Sequence, residues 1–420
     1  MKKPDQTHQR HSWDAGRWRI DRHLRSWLLE AVRWMIGPWR RVEDDADRAA
    51  GSRPLNILVF QYDAALGSVI AATPILESLR TAQPGSTIVV ASSGIAYEVV
   101  KYNPFADRVI NTPNPYSAFM STAWWILRSL RLAQKWDCVI TDIGNAKTRL
   151  AVLGAITGAH RRIGFTAAPS LYHIPLHRDP QMSVMRDNLR LPAALGLRSE
   201  AAEPRVFFSQ YEALAAETLL SQHGLTDAAG LTVFFTQTSG GQPSRWYDER
   251  FAIVADHLAT RHDSAIIFGG TRGERDAIER IRSLMTRASI NIAGDTKTVS
   301  VLAALLCRAD MAVSLDTGPM HLARAAGLPT VVIAPAWQPA YEWLPLGFDD
   351  CTIVRRNEIP CAGCRKFVCE TRECMDEITT EEVISATEAL WLRYPPSPLR
   401  RQERTARSLA ARREMTNAKG

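Results

Sequence analysis

Residues 314–335 read SLDTGPMHLARAAGLPTVVIAP, and this stretch carries the α/β reading of the whole chain. The apolar run 311–315 predicts a strand, Asp316-Thr317-Gly318-Pro319 a turn, and the residues from 318 to 326 a short helix. Gly327 and Pro329 stop that helix before a second buried strand at 330–334. In open α/β sheets, ligands bind beyond the carboxyl ends of the strands. A Gly-Pro turn that opens a helix exposes free N–H groups and the positive end of a dipole, which suits phosphate. The stretch therefore predicts an anion site.

Working outward, short β-branched runs alternate with helical patterns from Leu55 onward, which argues for parallel sheets. In the first half, strands are expected at 55–61, 87–92, 107–111 and 137–142, and helices at 68–82, 93–102, 116–135 and 146–157. Residues 164–187, with His173, Pro175, His177 and Pro180, read as loop. The second half restarts after Pro204, with strands at 231–236, 265–269, 289–292, 311–315 and 330–334. Its helices are expected at 210–223, 248–261, 273–286, 298–308 and 318–326, and Thr379 opens a final one running to 392. Two Rossmann-like domains with parallel sheets facing a central cleft follow from this pattern, over residues 53–205 and 206–392.

The chain has 420 residues and a formal charge of +7, and that charge sits at its ends. Residues 1–42 hold ten Lys/Arg against four Asp/Glu, and residues 399–420 hold seven against two, so the body between them sums to −4. Residues 17–42, RWRIDRHLRSWLLEAVRWMIGPWRRV, place apolar side chains at helical spacing with arginines largely off the stripe. Within residues 1–52, a basic amphipathic helix rich in Trp is expected to lie on an anionic membrane surface; packing on the body is the structural alternative. The tail, 393–420, reads as solvated and basic, with a second electrostatic contact as the alternative. No nucleic-acid-binding motif accompanies the charge. No apolar run reaches the roughly 18–20 residues of a spanning helix, and Glu30 and Arg33 break the one candidate for a signal-peptide core. Seven cysteines, four of them crowded into 361–374, do not read as a secreted disulfide framework. A cytoplasmic location is expected, peripheral on the inner face of the membrane.

The 314–335 block, with three further segments, resembles the ADP-heptose:lipopolysaccharide heptosyltransferase family, glycosyltransferase family 9. Those segments are ILVFQYDAALGSVIAATPILESLRTAQPGSTIVV at 57–90, FFTQTSGGQPSRWYDERFAIVADHL at 234–258 with IIFGG at 266–270, and PCAGCRKFVCETRECMDEITTEEV at 360–383. The resemblance implies a GT-B fold and an inverting glycosyl transfer that needs no cofactor. The acceptor, a lipid-linked glycan of lipopolysaccharide type, would bind the N-terminal half, and a nucleotide-sugar donor such as ADP-heptose the C-terminal half. Asp316, Thr317, Gly318 and His321 would grip the donor's diphosphate. Ser239, Gly240 and Gly241 would form a second donor-rich loop, and Glu274 would bind a ribose hydroxyl. Asp316 could equally be the N-cap of its helix, and His321 a core histidine.

Two departures from the family pattern stand out. Where relatives carry an Asp as general base directly after the loop glycine, this chain has Ser68, and a serine hydroxyl is a very poor base near neutral pH. Asp63, five residues earlier, is the candidate replacement, with stabilisation of the turn as its other reading; Asp142 is a further candidate. The lysine of a Lys-x-Trp element is replaced by Ser244, leaving Arg245 to offer a bidentate phosphate contact. Cys361, Cys364, Cys369 and Cys374 have a spacing compatible with a structural zinc or iron, and equally with thiols or disulfides that hold a small loop. Arg365 and Lys366 would stabilise thiolates there. Two rivals to the glycosyltransferase reading are a catalytically silent GT-B scaffold, supported by Ser68, and a sugar-nucleotide epimerase.

Overall fold

A computed structural model describes residues 53–410, apart from 133, 167–168, 198–202, 239–243 and 367. The amphipathic segment 17–42 and the end of the basic tail, 411–420, lie outside the described residues. Strands β1 (Asn56–Gln61), β2 (Thr87–Ser92), β3 (Arg108–Asn111), β4 (Cys138–Thr141), β5 (Arg161–Phe165) and β6 (Ile174–Leu176) form one sheet, ordered β3-β2-β1-β4-β5-β6. Strands β7 (Gly230–Phe235), β8 (Ser264–Phe268), β9 (Ile290–Asn291), β10 (Met311–Leu315), β11 (Thr330–Ile333) and β12 (Cys351–Val354) form the other, ordered β12-β11-β10-β7-β8-β9. Neighbouring strands in both sheets run parallel. β7 and β10 are buried at every position because helices cover both sheet faces, so these strands read as unbroken apolar runs. Each sheet has the doubly wound order, and its topological switch point falls between β1 and β4 in the first and between β7 and β10 in the second.

The first domain's helices are α1 (Leu66–Ala72), α2 (Pro74–Ala82), α3 (Gly94–Val100), α4 (Phe119–Ile126), α5 (Thr148–Ile156), α6 (Val184–Asn188) and α7 (Arg190–Ala194). The second's are α8 (Gln210–Gln222), α9 (Asp248–His262), α10 (Arg275–Leu284), α11 (Val299–Arg308), α12 (Gly318–Ala325), α13 (Ala340–Trp343), α14 (Glu373–Asp376), α15 (Thr380–Arg393) and α16 (Pro398–Ser408). The domains meet where α1 packs on α12 and where α11 packs on α3, and one apolar cluster runs across that seam. Tyr102 reinforces the seam by donating its hydroxyl proton to Glu212 at 2.8 Å.

Apart from the unanticipated edge strand β12, the structure differs from the sequence reading in four places. The helix expected at 68–82 is two helices, because Pro74 stands at the start of α2 and has no N–H to continue α1. The helix expected at 116–135 begins at Phe119 and widens into a π-helix over Leu127–Arg131. The region 164–187, expected as loop, supplies the end of β5 and all of β6; Pro175 is tolerated because β6 is an edge strand. β12, the opposite sheet's edge, was not anticipated at all.

The fourth difference is the tail. Residues expected to be solvated form α16, capped by the Ser397 hydroxyl and packed on α11. Its arginines serve the interior. Arg401 pairs with the buried Asp310 and also donates to the Ala228 carbonyl at 3.1 Å, while Arg404 donates to the carbonyls of Cys307 and Ala309. Arg401→Ala leaves a buried carboxylate without its cation, so a loss of about 3–5 kcal/mol in urea unfolding is expected. A loss under about 0.5 kcal/mol, the range of a surface change, would mean that the docking of α16 is incidental.

Candidate active site

A cleft of about 950 Å³ opens between the domains, lined from both sides. On the second domain's side, α12 begins at the carboxyl end of β10, next to the switch point. Thr317 is its N-cap residue, but the side chain makes no cap hydrogen bond and instead donates to the Leu315 carbonyl at 3.3 Å. Asp316 is therefore not the cap. Pro319 has no N–H, and the N–H groups of Met320 and His321 donate to the Thr317 carbonyl at 3.1 and 3.4 Å, which leaves the Gly318 N–H to face a ligand; Asp316, Thr317, Gly318, Pro319 and His321 all line the cleft. Burial pushes the Asp316 carboxyl up to about 6, opposed by the positive charge of Arg355. Burial also pushes the His321 imidazolium down to about 4, so the ring is a neutral hydrogen-bonding group near pH 7.

The ring of His321 lies edge-on to Trp343, with centroids 6.0 Å apart, and also lies against Gly67 at the start of α1. A Cβ on Gly67 would come within 2.8 Å of the His321 ring, and one on Gly318 within 2.8 Å of the Leu66 Cβ. The two helix starts thus interlock through two residues that lack side chains.

On the first domain's side, Asp63 follows β1, and Asp142 follows β4 at the same switch point. Asp63 lines the cleft with Ala64, Ala65, Leu66, Gly67 and Ser68. Its Oδ1 accepts from the Ala65 N–H at 3.1 Å, so Asp63 supports the turn as well as facing the cleft. Its carboxylate also lies against Gly144, where a Cβ would collide with it. Asp142 is buried and accepts from the backbone N–H and the Nδ2 of Asn145 at 3.0 and 2.9 Å. The Asn145 Oδ1 in turn accepts from the Tyr62 N–H at 3.1 Å and the Tyr116 hydroxyl at 3.3 Å. Burial first, then the charge of Asp63, push the Asp142 carboxyl up to about 7 against the lowering effect of Asn145.

That shift has a sign. An unfolded Asp titrates near 3.9, so between about pH 4 and 7 the folded state binds the Asp142 proton more tightly. Stability from this group is full below that window and is lost as pH rises through about 7. Asp316 contributes in the same direction, but only to about pH 6. Asp142→Asn is expected to flatten the decline in stability between about pH 4 and 7 and to gain roughly 2–3 kcal/mol at pH 8 relative to pH 5. Urea midpoints across that range check it; a slope equal to the wild type's would contradict the buried-carboxyl account.

The remaining expected residues distribute unevenly. Glu274 lines the cleft, with Oε2 accepting from the Thr271 N–H in a capping box. Ser239 and Gly240 lie outside the described residues. Arg245 is not brought to the cleft: it is exposed at the start of α9 and donates to both carboxylate oxygens of Asp248, at 2.8 and 3.0 Å. Among the described lining residues the lysine or arginine is Lys297, which sequence reading missed. It lies in Thr296-Lys297-Thr298 just before α11, and its strand-to-helix position was the available signal. Arg355 was missed too; its Nε and Nη1 are buried and find no hydrogen-bond partner among the described residues.

The cysteine segment docks on the wall beside the cleft, through the Gly363 and Arg365 N–H groups donating to the Ala336 and Trp337 carbonyls at 2.6 and 2.7 Å. Cys361 is exposed, Cys364 and Cys369 half-buried and Cys374 buried, all as free thiols. Among the described residues no three His, Cys, Asp or Glu side chains are grouped so as to hold a metal ion. The four thiols therefore do not fit a metal in this arrangement. Arg365 is not a thiolate partner, because its guanidinium pairs with Glu342. Hydrogen bonds from the Arg372 N–H and from Thr371 lower the Cys369 thiol most, and the charge of Lys366 adds to them as expected.

The model of "Glycosyltransferase family 9 (heptosyltransferase)" matches residues 124–373. Lipooligosaccharide heptosyltransferase 2 of Campylobacter jejuni is 25% identical over 156 residues, which cover 36% of this chain and 48% of that protein. The chain thus spans about half the length of that curated relative. Among solved structures, the family 9 glycosyl transferase of Veillonella parvula superposes with a TM-score of 0.73 at 23% identity, over 82% of this chain and 99% of that one. ADP-heptose lipopolysaccharide heptosyltransferase II of Escherichia coli superposes with a TM-score of 0.65 at 17% identity, over 81% and 99%. These likenesses bear out the expected GT-B fold.

Proposed function

Since the chain belongs to glycosyltransferase family 9, we propose that it transfers a heptose, or a related sugar, from an ADP-heptose-like donor to a lipid-linked acceptor of lipopolysaccharide type. The observation that carries this reading is one cleft shared by the uncapped start of α12 and the carboxylate of Asp63. The donor diphosphate would lie at the start of α12, on the Gly318 N–H and the positive end of the helix dipole, with Lys297 supplying the positive charge first assigned to Arg245. The neutral ring of His321 would add a hydrogen bond, and Glu274 would hold a ribose hydroxyl through Oε1.

The chemistry would be one inverting displacement. The acceptor oxygen attacks the anomeric carbon, the bond to the diphosphate breaks, and Asp63 takes the acceptor's proton. Charge gathers on the departing diphosphate, where the helix start and Lys297 stabilise it most. No step calls for a metal. Residues 17–42 would hold the enzyme to the inner face of the cytoplasmic membrane, beside its acceptor. Among the described residues no helix is long and apolar enough to cross a membrane.

Ser68 in place of the family's Asp favours one second reading, a donor-binding protein without turnover. Calorimetric titration with ADP, together with ADP-heptose turnover in the presence and absence of lipid acceptor, separates the two. Binding with acceptor-dependent turnover supports the enzyme, and binding alone supports the silent protein. Absence of both across candidate nucleotide sugars would end both readings.

A further inference from the structure

The first domain turns an apolar stripe to solvent on the side away from its partner domain. α4 and the π-turn Leu127–Arg131 that continues it bury Ile126 and Leu130 against Leu58, Phe60 and Val89, across the sheet from the cluster that meets the second domain. On the opposite side, Met120 and Trp124 of α4 and Leu132, which caps the π-turn, are 77%, 63% and 74% exposed. Met120 and Trp124, four apart, lie along one edge of the α-helix. A single exposed apolar side chain needs no explanation, whereas a row of three large ones does.

Charge is interleaved with the row. Arg128, Arg131 and Lys135 are exposed beside it, and no Asp or Glu occurs between Asp107 and Asp137. From Arg108 to Arg178 the chain carries nine Lys/Arg against two Asp, within a body that is otherwise acidic. Neither aspartate offers surface charge here: Asp137 pairs with Arg53, and Asp142 is buried. A cationic row threaded with Trp, Met and Leu matches the headgroup layer of an anionic bilayer, where apolar tips sink below the phosphates that the cations bind. A second copy of this chain is a poor occupant, because a two-fold contact would set the same arginines against each other. A stable protein partner needs about 1,000 Å² of complementary surface, more than three tips provide.

We propose that α4 and its π-turn form a lipid-docking surface, with Met120, Trp124 and Leu132 inserted at the headgroup boundary of an anionic bilayer and Arg128, Arg131 and Lys135 on its phosphates. This deepens the membrane association proposed above, yet it rests on exposure and charge and on no part of the donor chemistry. Docked this way, the cleft's first-domain wall would be held against the surface that carries a lipid-linked acceptor.

The test uses the full chain, without donor or acceptor, co-sedimented with vesicles of phosphatidylglycerol and phosphatidylcholine or of phosphatidylcholine alone. Wild type should prefer the anionic vesicles and lose binding as salt rises. Met120→Ser with Trp124→Ser should lower partitioning about tenfold; Arg128→Glu with Arg131→Glu should remove the preference for anionic lipid; Trp124→Phe should retain binding. Brominated lipids should quench wild-type fluorescence more than that of Trp124→Phe, which reports insertion at this residue independently of affinity. If both double variants bind as wild type does, with unchanged thermal melts, another surface such as residues 17–42 carries the binding and the proposal fails. It fails equally if Trp124→Ser dissolves a dimer in sedimentation velocity without altering vesicle binding. Either failure leaves ADP binding and sugar transfer untouched, so the two readings fall separately.

Discussion

Asp63→Asn is expected to reduce the rate of sugar transfer by roughly 10²–10⁴-fold, the usual contribution of a positioned general base. Donor affinity should change by no more than about threefold, because Asp63 lies across the cleft from the start of α12. The amide keeps the size of the side chain and its hydrogen bond from the Ala65 N–H, so the loss would report proton acceptance and not the turn. Gly144→Ala gives the same test without touching charge. The new methyl would meet the Asp63 carboxylate and displace it, so turnover should fall while ADP binding stays. Wild-type turnover in Asp63→Asn would remove Asp63 as the base. Loss in Asp63→Asn with full activity in Ser68→Ala is the pattern expected of a relocated base.

The second large effect is expected at the interlock of the domains. Gly67→Ala places a methyl 2.8 Å from the His321 ring, closer than such contacts tolerate. Either the ring moves off the diphosphate site or α1 backs away from α12. Overpacking of this kind costs about 1–3 kcal/mol, which corresponds to roughly 5–150-fold in donor affinity if the strain falls on the donor-bound form. His321→Ala removes the obstacle, so in that background Gly67→Ala should be nearly neutral. The double-mutant cycle therefore predicts a coupling of about 1 kcal/mol or more, read by ADP calorimetry. An additive cycle would mean that the two helix starts do not act on each other.

These expectations show how differently the parts of the molecule were legible. The α/β alternation, the interior of most strands and the Gly-Pro turn that opens α12 are local properties. They follow from runs of apolar residues and from Asp316-Thr317-Gly318-Pro319, and the structure places β10 over the residues expected. The edges of both sheets were harder. β6 is three residues long and contains Pro175, and β12 is a four-residue edge strand that is half-buried throughout. The basic tail misled for a related reason. Composition reports charge but not its partner, and α16 spends Arg401 on Asp310, which lies far from it in sequence.

By itself, then, the sequence determined two parallel sheets, a Gly-Pro turn opening a helix, and a serine at 68 with a carboxylate five residues before it. Tertiary structure alone decided which groups act together. It brought Asp63 next to Asp142, paired Arg401 with Asp310, put Lys297 in the cleft and locked Gly67 onto His321. The physical reason is one of range. Turn propensity, capping and periodic burial are set by residues a few positions apart, whereas the meeting of β1 with β4 and of α1 with α12 depends on strand order and domain docking, which no local pattern encodes.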